Sequence, residues 1–167
     1  MARYIVDSQI DNHEKYYFIR EQESQDIVLL PSKYLMHKKR SKLSPNTIRR
    51  SAGAISYYLN YIDETGIQLD DVWEMPYDKQ QEHFTDYLIW LQAGLHSGDS
   101  YKKKPYNETC NAYLKEVFRF YRFSGQQDES IKQLKVLSDM RIIVHNSVGV
   151  KRTLYRNTFC LLYTSPS

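Results

Sequence analysis

The sequence predicts a mainly α protein: a compact bundle of about four helices, preceded by a short arm able to pair as a β-hairpin. Three observations carry this. Apolar residues recur at spacings of three and four through two long stretches, 44–66 and 107–125. Start and stop residues bracket the periodic stretches, with Ser44-Pro45 before the first and Gly66, Gly94 and Gly125 behind successive ones. β-prone runs are confined to the first thirty residues and to the stretch beyond residue 140. A length of 167 residues suits one domain, or one domain and an arm.

Residues 1–30 contain β-prone runs at 3–8 and 16–19 and then the apolar stretch 27–30, which reads as a hairpin or an extended arm. Pro31 restarts the chain, and 32–40 reads as a short basic helix. At Ser44-Pro45 a serine side chain can cap free backbone N–H groups, and proline at the first helical position loses no hydrogen bond. Ile48, Ala52, Ile55, Leu59 and Ile62 then form one apolar stripe. Arg49, Arg50, Gly53, Ser56, Tyr57 and Asn60 fall largely off it, and Gly53 is small enough to let something large approach. Gly66 stops this helix.

Residues 70–76 read as a connector, with Met75-Pro76 favouring an extended step. An acidic helix over 77–93 puts Phe84, Tyr87, Leu88 and Leu91 on one face, with Trp90 read as core, and ends at Gly94. A polar loop follows over 96–106. Asn107 or Glu108 opens a last helix with Cys110, Tyr113, Leu114, Val117, Phe118 and Tyr121 at helical spacing. Phe120 and Phe123 widen its apolar arc, and Gly125 ends it. Residues 126–159 show no core of their own and read as a linker toward a domain outside this chain. Residues 160–167 continue no pattern and are expected to be a non-native sequence scar.

The composition excludes several functions. A 41% hydrophobic and 26% charged chain is not wholly disordered, and its apolar runs are too short to span a bilayer, so no membrane partner is expected. The N-terminus lacks an apolar core of signal-peptide length, which leaves a cytoplasmic protein as the expectation. Cys110 and Cys160 form no CxxC, the five histidines show no zinc spacing, and no GxGxxG or GxxxxGK[ST] loop is present. Neither a metal nor any other cofactor is expected.

The formal net charge of +3 conceals segregation. Residues 31–50 carry seven basic residues and no acid, residues 60–90 eight acids against Lys79, and residues 101–122 six basic residues against two acids. Two basic stretches separated by an acidic one suit the walls of a groove for a polyanion, with the acidic helix on the far side. Solvated helix faces are the alternative, and it stays open above all for Lys102, Lys103 and Lys104.

Ser44-Pro45-Asn46-Thr47-Ile48-Arg49-Arg50, running on to Ile62, resembles the opening helix of the core-binding domain of tyrosine recombinases, the phage-integrase type. Thr109-Cys110-Asn111, followed by Leu114 and the aromatic cluster to Phe123, resembles that domain's last helix, and the acidic helix matches its third in place and length. The resemblance covers about residues 31–125 and implies a SAM-like helical fold. Ser51 stands where many members carry an aromatic, and the Asn-Pro that often closes the domain is absent from 124–130.

The resemblance implies half of a C-shaped clamp on double-stranded DNA, with the first main helix and the last helix approaching the major groove of a recombination half-site. It further implies a parent protein that breaks and rejoins DNA, integrating or recombining it, as a tetramer of protomers. The family's cationic pocket and tyrosine nucleophile are not recognisable in this sequence, so no catalytic residue is assigned and the chain itself is not expected to be an enzyme.

The expected DNA contacts are Lys38, Lys39, Arg40 and Lys42 ahead of the first main helix, then Thr47, Arg49 and Arg50 on its first turns. Lys102, Lys103 and Lys104 serve from the loop, and Asn107, Asn111, Lys115 and Arg119 from the last helix. Arg50, Asn111 and Arg119 are the candidates for reading base edges, since arginine pairs well with guanine and asparagine with adenine. For Arg119 a salt bridge to Glu116 or to the acidic helix is the alternative, and for Asn111 it is helix capping or plain exposure. The competing function is a helical protein-interaction domain, with Tyr87 and Trp90 of the acidic helix as its surface.

Overall fold

Asn12 and His13 both take positive φ, 51° and 65°, the geometry a tight two-residue hairpin turn requires. They join β1 (Tyr4–Asp11) to β2 (Glu14–Glu21) in antiparallel register, from Tyr4 opposite Glu21 to Asp11 opposite Glu14. The computed structural model describes residues 2–98, 104–127, 131–137, 140–145 and 151–156.

The helices are α1 (Leu29–Arg40), α2 (Pro45–Thr65), the single turn α3 (Asp71–Glu74), α4 (Tyr77–Gln92) and α5 (Asn107–Gly125). The fold is thus mainly helical with a short N-terminal hairpin. Among the described residues no helix is long and apolar enough to cross a membrane.

The N-terminal hairpin belongs to the bundle. The Tyr4 N–H donates to Asn60 Oδ1 at 2.9 Å, while Asn60 Nδ2 and Ser56 Oγ donate to the Tyr4 carbonyl at 3.1 and 3.0 Å. Ile19 is wholly buried, and its carbonyl accepts from Val28 N–H at 2.8 Å. The helix expected from residue 32 begins at Leu29, because Pro31 sits in its first turn, where the missing N–H has no intrahelical partner to lose.

α2 follows its sequence pattern. Ser44 Oγ accepts from Thr47 N–H at 3.3 Å, and Ile48, Ala52, Ile55, Leu59 and Ile62 are all at most 4% exposed. Gly66 closes the helix in the left-handed region at φ 74°. The expected connector over 70–76 instead contains α3, which buries Val72 and sets the Trp73 ring edge-on to Tyr121 at 5.1 Å. One turn is too short to show a period in sequence.

The core is aromatic. The Tyr58 hydroxyl lies 2.9 Å from His83 Nε2 and 2.7 Å from the Tyr121 hydroxyl, which in turn reaches the Leu69 carbonyl at 3.2 Å. Those three contacts need three protons, which the neutral His83 ring supplies when it donates from Nε2. Burial favours that state, pushing the His83 pKa down to about 4. Burial likewise drives the Tyr58 and Tyr121 hydroxyls far above the usual tyrosine range.

Buried packing continues past residue 125, with Leu134, Val136 and Leu137 joining the core. Gly125 is within the last turn of α5, and a Cβ on it would overlap the Lys132 carbonyl. Glycine therefore serves close approach here. The returning chain buries Leu134, Val136 and Leu137, with Val136 N–H donating to Gln80 Oε1 at 3.3 Å and Gln80 Nε2 to the Val72 carbonyl at 2.8 Å. Three apolar residues without a period looked like linker because the surface they cover belongs to other elements. Further on, β3 (Met140–His145) pairs antiparallel with β4 (Lys151–Arg156) inside the stretch also read as linker. The expected scar at 160–167 lies outside the described residues.

Candidate nucleic-acid interface

The Ser44 cap and Pro45 set the start of α2 and so place Arg49 and Arg50 in its second turn, on the outward face opposite the buried stripe. Both are exposed, and neither side chain makes a hydrogen bond or an ion pair with a described residue. Thr47 is exposed one turn earlier, its hydroxyl 2.9 Å from Ser44 Oγ. Arg40 and Lys42 are exposed before the helix, their charges unpaired among the described residues, and Lys42 holds a positive φ of 62° in the α1–α2 connection.

Two open grooves meet on this face. One, of about 510 Å³, lies between the hairpin and the outer side of α2 and is lined by Asn46, Arg49, Arg50, Gly53 and Tyr57. The other, of about 520 Å³, lies between α2 and α5, with Thr47, Arg50 and Ala54 on one side and Thr109, Ala112 and Arg119 on the other. Arg50 and Tyr113 line both. The structure thus brings together Thr47, Arg49, Arg50 and Arg119 from two helices far apart in sequence.

Several expected contacts are placed elsewhere. Lys38 is not available to phosphate: its ammonium is 2.8 Å from Glu116 Oε1, and its side chain is only 12% exposed. Lys39 leans on the hairpin, 3.9 Å from Glu14 and over the Tyr16 ring. Asn111 is corrected as a base reader, since it is 5% exposed and faces the core side of α5. Asn107 Oδ1 accepts from Gln92 Nε2 at 2.7 Å. Lys115 is exposed and has no ion-pair partner among the described residues, but it lines neither groove. Lys104 is exposed near Gly94, and Lys102 and Lys103 lie outside the described residues. Arg119 makes the anticipated bridge to Glu116 at 3.0 Å while its side chain stays 58% exposed at the groove.

Sequence reasoning missed the role of Glu116. Its carboxylate accepts from the Tyr34 hydroxyl at 2.6 Å, from Lys38 and from Arg119, tying α1 to α5. Burial alone would raise its pKa, but the hydrogen bonds from Lys38 and Tyr34 outweigh it and hold the carboxyl below its ordinary range. The only available signal was the three-residue spacing to Arg119; Lys38 and Tyr34 lie far away in sequence, on α1.

Tyr87 and Trp90, the surface suggested for a protein partner, are 0% and 8% exposed and pack on Tyr61. Trp90 Nε1 donates to Glu64 at 2.9 Å. Among the described residues no group of three or more His, Cys, Asp or Glu side chains is placed to hold a metal ion. Comparison with protein-family models, with curated proteins and with solved structures returns no match. The family resemblance therefore rests on the residues that carry it.

Proposed function

We propose that this chain is a duplex-DNA-binding module of the tyrosine-recombinase core-binding kind, gripping a recombination half-site with α2 and α5. The observation that carries the reading is the contrast between Arg49 with Arg50, adjacent, exposed and without an acidic partner among the described residues, and Lys38, whose charge is neutralised inside the fold. Exposed guanidiniums with no acidic partner among the described residues leave positive charge free to meet a polyanion. Arg119 faces the same groove from α5 and supplies a further donor. In this reading strand cleavage belongs to a separate domain of the parent recombinase, and protomers pair in a tetrameric synapse through surfaces this chain does not identify.

The test is fluorescence anisotropy of the chain with a labelled random duplex of about 30 base pairs across a salt series. Each phosphate contact contributes a log–log slope of roughly −0.9. Arg49→Glu with Arg50→Glu is expected to abolish binding while far-UV circular dichroism stays unchanged. Absence of binding by the wild-type chain even at low salt overturns the reading, as does full binding by the double variant.

A further inference from the structure

Gly53 lies in the interior of α2, where glycine weakens a helix relative to alanine. Nothing among the described residues requires it. Its φ is not in the left-handed region, and a Cβ built on it meets no atom within 4 Å. At Gly125, by contrast, the same Cβ would strike the Lys132 carbonyl. The space at Gly53 is thus kept for something outside the chain, and it forms the floor of the groove between the hairpin and α2.

The surroundings define the chemistry of the occupant. Asn46, Arg49 and Arg50 stand one and two turns before Gly53, and Tyr57 one turn after it, all on the same lining. Their order along the helix is amide and guanidinium donors, then bare backbone, then an aromatic ring set edge-on to Tyr113 at 5.4 Å. Donors followed by a neutral, close-approach floor match an anionic phosphate followed by a flat, uncharged sugar. From Asn46 to Tyr57 α2 rises about 16 Å at 1.5 Å per residue. Arg50 and Tyr113 carry the lining on into the α2–α5 groove, giving a track suited to a polymer.

We propose that the sugar–phosphate backbone of one DNA strand packs directly onto the α2 backbone at Gly53, its phosphates held by Asn46, Arg49 and Arg50. This rests on the DNA-binding reading and adds a close-approach position to it.

The test compares the full wild-type chain with Gly53→Ala and Gly53→Leu, using the random duplex and, in parallel, labelled poly-glutamate. Thermal unfolding and circular dichroism are followed for each. Gly53→Ala is expected to raise Tm by a few degrees. Gly53→Leu is expected to keep the helix and to weaken duplex binding by about tenfold or more, the worth of one good contact. Variants that bind the duplex like the wild type overturn this inference while leaving the DNA reading intact. Loss of helix in Gly53→Leu overturns it as well, since open space at that position is its premise. Poly-glutamate binding with the same sensitivity to Gly53 reassigns the groove to acidic protein and overturns it. A wild-type chain that binds no duplex removes both readings together.

Discussion

The Glu116 carboxylate and the Lys38 ammonium lie 2.8 Å apart with side chains only 9% and 12% exposed, joining α5 to α1 across 78 positions of sequence. Charge that a sequence reading assigns to a ligand is here consumed by the fold. Replacing one partner leaves the other buried and uncompensated, which costs about 3–5 kcal/mol. Glu116→Ala is therefore expected to lower Tm substantially, and Glu116→Leu combined with Lys38→Met to recover much of the loss. A double variant no more stable than Glu116→Ala shows that the pair is not the source of the effect.

Lys38 and Arg50 make opposite predictions for DNA. Arg50 is exposed at both grooves, so Arg50→Ala should reduce the magnitude of the salt slope by about 1. Lys38→Met should leave that slope unchanged in the protein that remains folded. Equal slope changes in the two variants contradict the assignment.

Acid should destabilise the fold in two windows. The His83 pKa falls from 6.5 to about 4 on folding, so below pH 6.5 the unfolded chain takes up a proton that the folded chain refuses. Stability at this group is complete above that pH, declines between 6.5 and about 4, and levels off beneath, a loss on the order of 3 kcal/mol. Glu116, held below its ordinary 4.5, loses its contribution only as pH falls further, through its folded value. Urea unfolding at pH 7 and pH 5 checks the first window: His83→Gln should cut the difference between the two pH values, and an unchanged difference argues against a neutral buried His83.

The two interior glycines should respond in opposite directions. Gly125→Ala forces a methyl group into the Lys132 carbonyl and to 3.0 Å from the Trp73 ring, and should cost about 1–3 kcal/mol. Gly53→Ala meets open space and should stabilise by up to about 1 kcal/mol. Paired thermal denaturation of the variants reads both signs at once.

The legible parts of the chain were those governed by local physics. The stripe from Ile48 to Ile62, the Ser44 cap and the Gly66 stop follow from helical period and backbone hydrogen bonding within a few residues, and each stands as the residues imply. The aromatic face of α5 was equally plain. Charge segregation located the basic stretch around Arg49 and Arg50. It did not reveal which cations remain uncommitted.

That sorting belongs to the tertiary structure, because pairing depends on what lies across space. Lys38 and Arg49 look alike as basic residues, yet Glu116 neutralises the first and, among the described residues, no acid pairs with the second. Asn111 has the residue type of a base reader, but helical phase turns it toward the core. Leu134, Val136 and Leu137 have no periodicity of their own and became core only because Gln80, Val72 and the end of α5 offered a surface to cover. By itself the sequence determined the elements, their faces and the sign of the charge on each, since these are set within a few turns of chain. Only the packed fold decided which charges and apolar groups are left facing outward, since burial and pairing are properties of residues far apart in sequence and close in space.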